Sequence, residues 1–183
     1  MVTWIADKTH SNVGFKVKHL MITTVTGEFA DYNIEIESDR EDFTDATIKF
    51  DADINSIDTK VEQRNAHLKS DDFFNAEAFP KLTFESTSFK HKSGSDYVLE
   101  GNLTIRDNTH PVTLAVEYGG TMTDFYGNTK AGFELSGTIN RKEFGLKWDA
   151  VTEAGGIVVA ESVKLVLNVQ LLKVVVEEAV LAS

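Results

Sequence analysis

The 183-residue chain predicts an extended all-β fold, an eight-stranded antiparallel barrel with a helical insertion around residues 59–77. Three observations carry this reading. Apolar and polar residues alternate with a period near two along most of the chain, as in strands with one buried face. The connections between alternating runs are mostly of hairpin length. One stretch, Thr59 to Phe84 (TKVEQRNAHLKSDDFFNAEAFPKLTF), breaks the alternation. Such strands either close into a barrel or stack as a sandwich. Short connections and one bulge favour closure.

Taken in order, Asn12 to Leu20 places Val13, Phe15, Val17 and His19 on one face, with Lys16 and Lys18 on the other. His19 therefore points with the apolar set, either as a hydrogen-bonded core histidine or as a polar group at a site. Val25, Gly27 and Phe29 share one phase, and Tyr32, Ile34 and Ile36 the other; this switch predicts a bulge near Ala30 and Asp31. From Asp45 to Asn55 the inward set is Ala46, Ile48, Phe50, Ala52 and Ile54.

The insertion follows. Thr59 with Glu62 forms a capping-box pattern, Val61 and Leu68 share a helical face, and Ser70 or Asp71 caps a short turn carrying Phe73 and Phe74 that ends before Pro80. The next strand starts with Leu82, Phe84 and Ser86 inward, and a hairpin loop lies between Lys92 and Asp96. Tyr97, Leu99, Gly101, Leu103 and Ile105 line the following strand, and Asp107-Asn108 makes a tight turn. Pro111 stands at a strand start, where it disturbs no central ladder bond. Val112, Leu114, Val116 and Tyr118 alternate up to a bend or bulge at Gly119-Gly120. Beyond a turn at Tyr126-Gly127-Asn128 come Ala131, Phe133, Leu135, Gly137 and Ile139, then an irregular loop after Arg141. Val163, Leu165, Leu167, Val169 and Leu171 form the last inward face. Residues 1–176 read as one barrel domain and 177–183 as a tail. The apolar end VVVEEAVLAS suits packing on a neighbour or a short helix.

An eight-stranded barrel either fills its interior with side chains or holds one small ligand. The small inward residues Val13, Ala46, Ala52, Ser86, Gly101, Ala131 and Gly137 leave room for a ligand.

The formal charge of −11 argues against a phosphate-backbone partner, since nucleic-acid binding rests on clustered Lys and Arg, and against electrostatic docking on anionic lipid heads. Cysteine is absent, so no disulfide or thiolate chemistry is available. No window reaches the roughly 18 apolar residues of a membrane span. The start, MVTWIADKTH, lacks a basic region followed by an apolar run, which points to the cytoplasm, or to the periplasm if a leader has been removed.

Catalytic and metal signals are weak. His10, His19, His67, His91 and His110 show no metal-ligand spacing, so no metal is expected. A triad of Ser11, His10 and Asp7 is poor, because adjacent strand residues face opposite ways and no nucleophile elbow is present. No catalytic residue is assigned. Arg64 and His67 lie one turn apart on the insertion, and Arg141 continues the phase of Phe133 and Leu135. These cations either tie the helix and long loop to the barrel rim or meet a polar head group there.

Several local motifs together resemble the YceI-like family. They run from Asp7 with His10-Ser11, through Phe15 with Val17-Lys18-His19-Leu20 and Val25 with Gly27 and Phe29, to Arg64, His67-Leu68, Ser70, Asp72-Phe73-Phe74, Phe79-Pro80 and Phe84. They continue at Gly101 with Leu103-Thr104-Ile105-Arg106, Gly132-Phe133, Gly137, Ile139-Asn140-Arg141 and Phe144-Gly145-Leu146. The order and spacing of these pieces is highly specific and spans Trp4 to about Val174. Asn65 stands where the family often has Asp, and Asp107 where a turn glycine is common; many relatives also carry a secretion signal. The resemblance implies a lipocalin-like barrel with a helical excursion. It implies binding of a polyprenyl chain or isoprenoid quinone in an internal tunnel, without a family-wide reaction.

The expected lining is therefore Val13, Phe15, Val17 and His19 from the first strand, Phe50 and Phe84 next to them, Leu99, Leu103 and Leu114 across the middle, and Phe133, Leu135, Leu165 and Leu167 at the close. Arg64, His67 and Arg141, with His19, form the expected polar rim. No cofactor beyond the isoprenoid lipid is expected, and no nucleic acid; the resemblance and the apolar end leave room for a homodimer. Two other readings stay open: an enzyme on an apolar substrate with His19 or His67 as acid or base, and a filled barrel acting as an interaction module.

Overall fold

The computed structural model describes residues 1–151 and 158–175. The wall begins with a strand in two pieces. β1 (Thr3–Ala6) and β2 (Asn12–His19) both lie antiparallel to β11 (Val159–Lys173), with Trp4 opposite Lys173 and Val13 opposite Leu167. β3 (Thr23–Phe29) and β4 (Tyr32–Glu37) form a second broken strand beside the first. β5 (Thr47–Asp53) and the short β6 (Ile57–Asp58) form a third. β7 (Lys81–Ser93), β8 (Asp96–Ile105), β9 (Asn108–Thr123) and β10 (Thr129–Asn140) are continuous. Counted as wall strands these make eight, and pairing of β1 with β11 closes the ring.

The three breaks differ in kind. Between β1 and β2, Asp7 Oδ1 accepts from the Thr9 amide and hydroxyl at 3.1 and 2.6 Å, while Gln170 donates to Asp7 Oδ2 at 3.0 Å and to Ser11 Oγ at 2.9 Å. Asp7 and Ser11 thus carry the ladder across a turn that would leave amides unpaired. The break at Ala30 and Asp31 is the expected bulge. Gly27 and Phe29 are buried before it, and Tyr32, Ile34 and Ile36 after it. Beyond Asp53 the third strand parts from β7, which pairs with β5 but not with β6. The seam is occupied by α1 (Glu62–Lys69) and the turns that lead to Pro80. The helix stands where β6 and β7 do not pair.

Several local expectations change. Thr59 is not the N-cap; Val61 is, without a side-chain bond, and it is exposed. The Asn65 side chain takes both the Thr59 amide and hydroxyl, at 2.8 and 2.6 Å, so the capping pattern is pre-empted from inside the helix. The β8–β9 turn is Arg106-Asp107, because Ile105 pairs with Asn108. A register shift between Ser86 and Ser88 moves the inward phase of β7 from Phe84 to Phe89. Gly101 and Gly137 do not leave space: an added Cβ would stand 2.3 Å from the Phe84 ring or 2.4 Å from Leu114. Glycine there admits large inward side chains from neighbouring strands. The expected tail, 177–183, lies outside the described residues.

Candidate functional site

The inward faces enclose a cavity of about 330 Å³, within the ~300–1,000 Å³ usual for small-molecule sites. Its lining is overwhelmingly apolar. The residues named as its expected lining border it: Val13, Phe15, Val17 and His19 on β2, Phe50 and Phe84 on β5 and β7, and Leu99, Leu103 and Leu114 on β8 and β9. Phe133 and Leu135 on β10, Leu165 and Leu167 on β11, and the rim residues Arg64, His67 and Arg141 border it as well.

The two ends differ. One is packed with aromatic rings. Phe43 folds inward from the β4–β5 loop, is 1% exposed, and lies 5.1 Å from Trp4, 5.7 Å from Tyr118 and 5.2 Å from Phe133 between ring centroids. Tyr97 and Phe89 stack beside it at 5.0 Å. Phe43 sits at a φ of 59°, a costly conformation for a bulky residue. The loop is held by Asp45, which accepts from the Ser38 hydroxyl at 2.5 Å and the Asp39 amide at 3.0 Å, and by Asp42, which accepts from Thr44. Sequence reading missed Phe43; its only signal is a lone aromatic in the polar run SDREDFTDAT.

The other end carries the polar groups. Arg64 of α1 donates through Nε to Thr59 Oγ1 at 2.8 Å and through Nη2 to Thr59 O at 2.5 Å, leaving Nη1 without a partner among the described residues. His67 stands edge-on between the rings of Phe73 and Trp148, at 5.1 and 4.9 Å, with Nε2 2.9 Å from Asp72 Oδ2. Trp148, which alternation could not find in an irregular loop, thereby closes over the helix. Arg106 reaches from the β8–β9 turn to Asp71 O, Phe73 O and Asp71 Oδ1, each at 2.9 Å, and clamps the helical excursion to the wall.

Arg141 does not reach outward as a free cation. It is 2% exposed, and all five of its N–H groups are taken. Nε donates to Ala160 O, Nη1 to Leu146 O and Trp148 O, and Nη2 to Asp149 Oδ1 and Val159 O, at 2.6–3.2 Å. It fastens the loop that carries Trp148 to the start of β11. Its neighbour Lys142 pairs with Asp149 and Glu161. Hydrogen bonding from Lys142 holds the Asp149 carboxyl below the usual range.

The imagined triad has no geometry: Ser11 Oγ bonds Gln170, while the exposed His10 turns to Asp7 at 3.1 Å. Among the described residues no three metal-ligating side chains converge.

Fold and site define a lipocalin-like barrel, a closed antiparallel wall around an apolar cavity whose polar groups gather at one end. The chain belongs to the YceI-like family, whose domain matches residues 4–171. It is 37% identical over 167 residues to a UPF0312 protein of Staphylococcus aureus, covering 90% of this chain and 94% of that one. The match to a UPF0312 protein of Staphylococcus epidermidis is also 37%, over 161 residues, with 86% and 90% covered. Among solved structures, the YCEI protein of Campylobacter jejuni superposes with a TM-score of 0.73 at 30% identity, covering 94% and 96%. A polyisoprenoid binding domain from Saccharophagus degradans shares the fold, with a TM-score of 0.64 at 15% identity over 95% and 100%.

Proposed function

We propose that this barrel binds a long isoprenoid lipid, a polyprenyl chain or an isoprenoid quinone, for storage or carriage. The apolar chain lies along Val17, Phe50, Leu99, Leu103 and Leu135, and the polar head stays at the mouth. The observation that carries this reading is the polarity of the cavity: an apolar bore packed with aromatic rings at one end and bordered by His19, Arg64 and His67 at the other. A linear amphiphile with one small polar head matches that distribution, and a compact polar metabolite does not. A structural neighbour described as a polyisoprenoid binding domain supports the choice of chain.

Within this reading Arg64 and His19 address the head, with Nη1 of Arg64 as the available donor. Arg141 acts by holding the rim. Ligand at about a hundred times its Kd stabilises a protein by about 2.7 kcal/mol. In a domain of this size that raises the melting temperature by about 5–10 °C. A thermal melt with a saturating isoprenoid quinone tests the proposal. A rise of this size that shrinks in Arg64→Met supports it, and no rise with any isoprenoid quinone or polyprenyl alcohol refutes it.

A further inference from the structure

The hairpin joining β2 to β3 is built against the usual rules. Positive φ is normally left to Gly, Asn or Asp, yet in this three-residue turn, closed by the pairing of His19 with Thr23, Leu20 and Met21 hold φ of 53° and 61°. The apolar side chains gain no burial in return, since Met21 is 67% and Ile22 79% exposed. The tip lies at the mouth. Leu20 donates to Val158 O at 2.8 Å, and His19, one residue before it, borders the cavity.

The charges around the tip are arranged unlike those of the whole protein. Lys16 and Lys164 face each other across the β2–β11 ladder, and Lys18 follows on the same outer face. All three are exposed, and none lies within ion-pair distance of a carboxylate among the described residues. By contrast, several carboxylates of this end already have cations: Asp58 pairs with Lys60, Asp71 with Arg106, and Asp149 and Glu161 with Lys142. An acidic protein therefore presents unpaired lysines beside an exposed apolar tip at one end of its bore. The net charge of −11 sets the average and not this face.

We propose that Leu20, Met21 and Ile22 insert into an anionic lipid bilayer, with Lys16, Lys18 and Lys164 on its head groups, so that the mouth opens directly onto the membrane. Apolar insertion with a basic flank is the two-signal arrangement that gives stable but reversible attachment. The role of the mouth in lipid transfer rests on the lipid-binding reading; the docking itself does not. It would let an isoprenoid chain enter the bore without crossing water.

The test is flotation of the full chain with vesicles of phosphatidylcholine alone or mixed equally with phosphatidylglycerol, alongside quinone-induced melting shifts without vesicles. The wild type should float with the mixed vesicles and much less with phosphatidylcholine, and salt at about 0.5 M should weaken the difference. Met21→Asp/Ile22→Asp should lose about tenfold or more in partitioning, and Lys16→Glu/Lys18→Glu/Lys164→Glu should lose the preference for anionic lipid. Phe125→Ser/Tyr126→Ser, which alters the exposed tip at the far end, should change neither. Failure of the wild type to float, equal flotation of the Met21/Ile22 variant, or loss through the far-end variant would overturn the proposal. Melting shifts without vesicles report on the bore alone, so flotation without a quinone shift would sink the lipid-binding reading and leave the docking standing.

Discussion

Phe43→Ala tests the aromatic end of the bore. Phe43 is almost fully buried and touches Trp4, Tyr118 and Phe133, and truncating such a residue costs about 3–5 kcal/mol. For a chain of this length that lowers the melting temperature by about 6–20 °C. Phe43→Gly should lie at the milder end of this range, because it relieves the φ of 59°, a conformation that costs a bulky residue about 1–3 kcal/mol. The same change extends the bore toward the β4–β5 loop. Thermal melts with short- and long-chain isoprenoid quinones therefore separate two effects: the ligand-free protein melts lower, and the shift from the long chain grows relative to that from the short one. A ligand-free melting temperature within about 2 °C of wild type would show that Phe43 is not a packed stopper. An unchanged ratio of the two shifts would show that it does not limit the bore.

Other outcomes follow from the same geometry. Arg141→Met should destabilise the barrel in urea titrations by at least about 3 kcal/mol, because buried carbonyls lose their donors, and Arg141→Lys should not restore it. Arg106→Ala should speed hydrogen exchange between Asp71 and Phe79 while the strands keep their protection. Asp7, Asp45 and Asp58 are held below the usual carboxylate range, chiefly by the Thr9 hydroxyl, the Ser38 hydroxyl and the Lys60 amide respectively. Folded values below unfolded ones mean that the unfolded chain binds protons first. Their contribution is thus present above the unfolded carboxylate pKa of about 3.9 and is lost as pH falls through the folded values. Denaturation midpoints should stay flat down to about pH 5 and fall below about pH 4, with a smaller fall in Asp45→Asn.

The walls and lining were legible because each inward residue obeys a local period of two, a signal that needs no knowledge of partners. The same rule carried Arg141 inward from the phase of Phe133 and Leu135. It could not show that carbonyls as distant in sequence as Ala160 saturate the guanidinium. Phe43 was invisible for the opposite reason. It belongs to no strand, and its burial depends on a left-handed backbone and on rings contributed by β1, β9 and β10. The shift at Thr87 escaped because serine and threonine suit either face of a strand. Thr59 matched a capping pattern that the Asn65 side chain overrode. Sequence periodicity thus reached the bore, while the stopper, the clamp of Arg106 and the closure by Trp148 depended on contacts between distant segments.

Native mass spectrometry of the chain after exposure to membrane lipid extract shows directly whether the bore takes up an isoprenoid lipid. A lipid held in the bore should appear as a one-to-one complex whose added mass is that of an isoprenoid lipid, sharply reduced when Leu99→Trp fills the bore. A spectrum showing the bare protein alone, or an adduct equally abundant in the filled variant, would contradict it.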